Sequence, residues 1–247
     1  MTTEQFIIQY TQTALFLLLG VRAYLSWART HDDRARYLAL ATGIFALNSL
    51  IGAVNATIFQ ASKDEVVPDW DRIITSTLTY LYVYFFFRFL AEFVHFPKWV
   101  EALFGLATLG GIVLGGIEKP DFRFDPEVGL VPIPGVDNPI DYRTYVGYVL
   151  LYLALAFGLM FITFLVFGVR GRGLARFRML MISSGFFLLF VVIGLLPRLI
   201  FGDLSAKTIH DLLAVVRYIA LASAPLLLIG FAPPKWISSR FNGTAAA

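Results

Sequence analysis

Apolar residues fall in seven long blocks along this chain, at about 5–27, 37–60, 73–95, 99–117, 144–168, 179–201 and 211–231, with short polar breaks between them. Each block is long enough to cross roughly 30 Å of hydrocarbon as a helix that satisfies its own backbone groups. The first block does not read as a cleavable signal: no basic residue precedes it, it is too long, and no small-residue cleavage site follows. The longest break, 118–143, holds Pro120, Pro126, Pro132, Pro134 and Pro139 and cannot continue a helix. It reads as a cap or flap over one mouth of a bundle. Neither a period of 20–50 residues nor a transporter-like internal repeat is visible.

Composition agrees with the pattern. The 247 residues are 58% apolar and 15% charged, against roughly 45–50% and about 25% in soluble domains. Mean hydropathy is +0.73. The expected fold is therefore all-α: a polytopic membrane domain over 1–236 with seven transmembrane helices, followed by a cytoplasmic tail, 237–247.

Charge sets the expected orientation. The breaks after spans 1, 3 and 5, with the tail, hold Arg29, Arg34, Arg36, Lys98, Arg170, Arg172, Arg176, Arg178, Lys235 and Arg240. Thirteen of the 17 acidic residues fall on the other side. The positive-inside rule then puts the N-terminus outside and the C-terminus in the cytoplasm of a prokaryotic-type inner (plasma) membrane. An odd number of spans agrees with that. On this reading the pI near 9.2 reflects arginine-rich loops in contact with membrane lipids, not a nucleic-acid partner.

The chemistry the chain lacks is also informative. Zero cysteine excludes disulfides and thiolate sites. A retinal Schiff base needs a lysine amine, yet Lys63, Lys98, Lys119, Lys207 and Lys235 all lie outside the spans. His31, His95 and His210 sit at span ends and offer no facing pair for a haem. Metal clusters at helical spacing, nucleotide-binding glycine loops and catalytic triads are not found. The expectation is a protein that is not an enzyme, with no cofactor and no metal.

Ionisable residues inside spans are costly and mark function or tight packing. Toward the cytoplasmic side lie Arg22, Arg88, Glu92 and Glu101. Arg88 and Glu92 are four apart on one helix face, which predicts an ion-pair latch, with a moving switch and a proton relay as alternatives. Toward the outer side lie Asn55, Tyr80, Arg198, His210, Asp211, Arg217 and Tyr218, with Pro197 and Pro225 interrupting the spans that carry the arginines. They predict an outer pocket with a cationic floor for an anionic ligand or lipid head group. The competing reading is arginines that snorkel or pair with Asp203 or Asp211. The aromatic run from Tyr80 to Phe89 reads as core filling. Gly111 and Gly115 form a small-xxx-small packing face, Gly52 and Ala56 a weaker one. The sequons at Asn55 and Asn242 read as false positives, one in a span and one in the tail.

The run Gly230-Phe-Ala-Pro-Pro-Lys-Trp236, with the basic segment Arg170–Arg178 before span 6, resembles the integral membrane sensor region of bacterial histidine kinases. There a similar Pro-Pro-basic-Trp run leads the last helix into cytoplasmic signalling domains. The resemblance implies a non-enzymatic sensor or receptor that passes a conformational change to a cytoplasmic partner such as a histidine kinase. This sequence contains no dimerisation helix, phospho-accepting histidine or ATP-binding module after Phe231. The expectation is a detached sensor or a relative that signals through a partner, with a homodimer left open. The alternative is a small multi-pass transporter or channel-like protein.

Overall fold

The computed structural model describes residues 3–62, 69–117, 122–125, 129–132, 142–201 and 206–243. Seven long helices follow one another: α1 (Thr3–Thr30), α2 (Asp33–Ser62), α3 (Asp69–Ala91), α4 (Lys98–Ile117), α5 (Tyr142–Arg170), α6 (Gly173–Phe201) and α7 (Ala206–Phe231). A short helix, α8 (Lys235–Gly243), comes next. The proline-rich break between α4 and α5 contributes a small antiparallel hairpin, β1 (Phe122–Asp125) with β2 (Gly129–Pro132), in which Phe122 pairs with Pro132. The hairpin is a small addition to an otherwise helical fold, in a stretch where prolines bar a helix but are tolerated at strand ends and edges.

Among the described residues, six helices, α2 to α7, contain stretches long and apolar enough to cross a membrane. The chain is a polytopic helical membrane protein. Its surface fits that reading: Leu103, Leu106, Leu109 and Val113 on α4, and Leu151, Leu155 and Ile162 on α5, are all exposed. Apolar stripes of that extent are stable only where something apolar covers them. Helix α1 has 28 residues, roughly 42 Å at 1.5 Å per residue. It is less apolar than the others because Gln9, Thr11, Gln12, Thr13 and Arg22 interrupt it.

Most boundaries lie a few residues from the expected ones, and three of the differences have a clear local cause. Helix α3 stops at Ala91 instead of 95, since the chain turns there to reach Pro97. Helix α6 begins at Gly173, six residues before 179, because a helix needs no apolar residues where it emerges from the hydrocarbon. The expected tail starts with α8, which is anchored where Ile237 is buried and Phe241 lies 5.7 Å from the Phe177 ring of α6.

The helices pack in chain order, each against the next, and α7 closes the ring on α1. Helix α3 also touches α5, which leaves α4 on the periphery. The aromatic run of α3 faces inward: Tyr80, Tyr82, Phe86, Phe87 and Phe89 are buried. Phe86 meets Phe186 edge-on at 5.5 Å, and Phe89 meets Phe231 at 5.3 Å. These rings fill the centre of the bundle.

The turns between α1 and α2, α3 and α4, and α5 and α6 share one end with the α7–α8 link, here called the basic end. Local sequence explains the turn between α1 and α2, one of the two shortest. His31 takes a left-handed conformation (φ 54°), and its N–H bonds the Trp27 carbonyl at 2.7 Å, a helix stop. Asp32 then caps α2, its Oδ1 accepting from Arg34 N at 3.0 Å.

Candidate functional site

At the basic end, two arginines from different helices converge on the last carbonyls of α7. Arg178 of α6 donates from Nε to the Gly230 carbonyl at 3.0 Å and from Nη2 to the Phe231 carbonyl at 3.1 Å. Arg22 of α1 donates from Nη1 to the Ala232 carbonyl at 3.4 Å. The last carbonyls of a helix lack intrahelical partners and carry the negative end of the helix dipole, so cations belong there. The approach is close because position 230 is glycine. A Cβ at Gly230 would lie 2.6 Å from Ile182 Cγ1 and 2.9 Å from its backbone N.

The same residues border a cavity of about 450 Å³ between α1, α2, α3, α6 and α7. Phe89, Phe93 and Phe231 form its apolar wall, and Arg22, Asp32, Arg34 and Arg178 its polar rim. In the sequence Arg178 reads as a loop charge and Arg22 as part of the latch; in the structure both grip the end of α7. The missed signal was the spacing: Arg178 is one helical turn inside α6, too deep to serve only as a topology marker.

The expected latch exists with a different partner. Arg88 Nη1 bonds Glu101 Oε2 of α4 at 2.6 Å, Nη2 bonds the Tyr37 hydroxyl at 3.3 Å, and the guanidinium lies 5.2 Å from the Tyr37 ring centre. Glu92 is exposed. It falls in the turn after α3 ends, so the i, i+4 geometry that would aim it at Arg88 is lost. Glu101 sits in the first turn of α4, where a carboxylate is favoured. The pair joins α3 to α4, with Tyr37 tying in α2.

In the other half of the bundle, the predicted pocket residues separate. Arg217 lies on the inward stripe of α7 with Ala220, Ala224 and Leu227, and its Nη1 is buried with no hydrogen-bond partner among the described residues. Arg198 is exposed on the face of α6 that carries Phe187 and Phe190. Asp211 and Tyr218 are also exposed. The side chain of His210 lies outside the described residues, as does most of the loop 118–143 expected to close over the pocket. The structure therefore does not gather the two guanidiniums on one inward face.

Asn55 and Tyr80 are buried, in different settings. Helix α2, which carries Asn55, shares a polar seam with α1 and α3: Thr13 Oγ1 meets Ser49 Oγ at 2.8 Å, and Asn48 Nδ2 donates to Thr79 Oγ1 at 3.0 Å. Asn48 Oδ1 is buried without a partner among the described residues. Tyr80 instead joins a tyrosine cluster with α5, its ring 5.2 Å from Tyr152 and 6.2 Å from Tyr148. Tyr152 Oη lies 2.7 Å from Thr108 Oγ1, and Tyr148 donates to the Ala107 carbonyl at 2.6 Å. Tyr145, Tyr148 and Tyr152 recur at spacings of three and four, a stripe legible in the sequence.

Among the described residues no three His, Asp or Glu side chains are placed to hold a metal. No protein-family model matches this chain, and no curated protein is similar to it.

Proposed function

We propose that this chain is a non-enzymatic membrane sensor that passes a conformational change to a cytoplasmic partner. The observation that carries the reading is the grip of Arg22 and Arg178 on the end of α7. That grip lies where α7 gives way to α8, and α8 is held through Phe241 against α6. A shift of α7 against α1 or α6 is thereby converted into a displacement of α8. Pro225 inside α7 removes one backbone donor and offers a point of bending. Arg217, inward and with Nη1 unsatisfied among the described residues, is the residue on α7 best placed to meet an anionic stimulus.

On this reading α1 is the seventh span, the N-terminus is external, and the basic end with α8 is cytoplasmic. The resemblance to the sensor region of histidine kinases supports the same arrangement, with the Pro-Pro-Lys-Trp run as the exit to a kinase-like partner. The transporter alternative draws on the polar seam from Thr13 to Thr79, but the seam is short and the helices beside it are unbroken.

The chain contains no cysteine, so introduced cysteines are unique labels. With spin labels at Ala28→Cys and Ser239→Cys in nanodiscs, Arg178→Gln should shift or broaden the measured distance between α1 and α8. An unchanged distribution in a protein with the parental melting curve would refute transmission through this joint. Impermeant maleimide should reach Thr208→Cys in intact cells and Ser239→Cys only after permeabilisation; the reverse would invert the topology. Solute flux into liposomes above the protein-free rate would favour the transporter.

A further inference from the structure

We infer that the cavity at the basic end binds an amphiphilic anion, a carboxylate or phosphate on an apolar body, which competes with the end of α7 for Arg22 and Arg178. This goes beyond the signalling reading: the cavity would take the same ligand in a chain that transmitted nothing.

Charge on the rim is the first ground. Among the described residues, Asp32 is the one acidic side chain lining the cavity. It is already committed, 3.2 Å from Arg34 Nε and capping α2 through the Arg34 N–H. Among the described residues, Arg22 and Arg178 bond to carbonyl oxygens and to no carboxylate. The end of a helix supplies about half a negative charge, against two full positive ones, so the rim keeps a cationic surplus.

Shape and lining are the second. A volume of about 450 Å³ falls within the roughly 300–1,000 Å³ of small-molecule sites. Phe89, Phe93 and Phe231 make the wall apolar, so a bare hydrated anion would leave most of it in contact with water. A ligand with an anionic head and an apolar body satisfies both surfaces at once.

Competition follows from bond strength. A carboxylate or phosphate accepts from arginine about twice as strongly as a neutral carbonyl does, and often by two parallel bonds. Arg22, held at 3.4 Å, is the first to be drawn away. Arg178, with two bonds near 3.0 Å, follows only for a well-seated head group.

The test is calorimetric titration of the full chain in phosphatidylcholine nanodiscs with dodecyl phosphate. Saturable binding is expected, weakened about tenfold by Arg22→Gln, the loss of one charge-assisted contact. Ser26→Trp, which fills the mouth from the exposed face of α1, should abolish it. Both positions are at the surface, so melting curves should match the parent. Equal binding by parent and both variants, or none by the parent, overturns the site. Inorganic phosphate binding as tightly as dodecyl phosphate overturns the amphiphile assignment. Phosphatidylglycerol in the nanodisc displacing dodecyl phosphate identifies a membrane lipid as the occupant; failure to displace it identifies a free amphiphile, and either result upholds the site. Calorimetry reads binding alone, whereas the α1–α8 distance reads transmission, so failure of one does not mimic failure of the other.

Discussion

Gly111 is where α4 is set against the bundle, and Gly111→Ala should be far more damaging than its size suggests. A Cβ there would lie 2.2 Å from Tyr80 Cε1, 2.3 Å from Cζ and 2.6 Å from Cδ1. Ordinary contact begins near 3.4 Å, so the Tyr80 ring or α4 itself must retreat by roughly 1 Å. The ring has nowhere to go: Tyr80 is fully buried and packed by Tyr148 and Tyr152. Overpacking costs about 1–3 kcal/mol, and a ring pinned on its other side places this case near 3 kcal/mol. Gly110→Ala and Gly116→Ala are the controls. A Cβ at Gly110 meets only the Tyr148 hydroxyl, at 3.6 Å, and one at Gly116 meets nothing within 4 Å. Both should stay within about 0.5 kcal/mol of the parent. The clashing atoms are ring carbons, so Tyr80→Phe should not rescue Gly111→Ala, whereas Tyr80→Leu should recover much of the loss. Reversible unfolding in mixed micelles gives all the terms of the double-mutant cycle. Gly111→Ala as stable as Gly110→Ala, or rescue by Tyr80→Phe as complete as by Tyr80→Leu, would refute the reasoning.

Two further predictions concern the charges. Glu101→Gln should lower stability by about 1 kcal/mol, the scale of polar contacts in membrane bundles, because Arg88 keeps Tyr37 but loses its carboxylate. Glu92→Gln should leave the melting temperature unchanged, and equal losses from the two would return Arg88 to the partner expected from sequence. Arg217→Met should raise the melting temperature in anion-free detergent, since it removes a desolvated guanidinium nitrogen that no described residue satisfies. A lower melting temperature would mean that the protein itself supplies the missing partner.

The chain by itself determined the multi-pass helical architecture. That information is one-dimensional: roughly 20 apolar residues in a row admit few structures in a bilayer. The inward role of the α3 aromatics and the Gly111–Gly115 packing face were legible for the same reason, through spacing on a single helix. The limits of the span rule are equally local: it ran α3 on to 95 and started α6 at 179, because hydropathy follows the hydrocarbon and not the backbone hydrogen bonds. Pairings between helices were decided only in three dimensions. Arg88 and Glu92 are four apart and looked matched, but a turn begins at Glu92, and Glu101, thirteen residues away in sequence, takes the arginine. Arg198 and Arg217 are joined by a short connection, yet one faces outward and the other inward, because the rotation of a helix about its axis is fixed by what it packs against. The grip of Arg22 and Arg178 on α7 depends on residues 210 and 52 positions from their carbonyl partners. Only the closing of the ring, α7 against α1 and α6, brings them together.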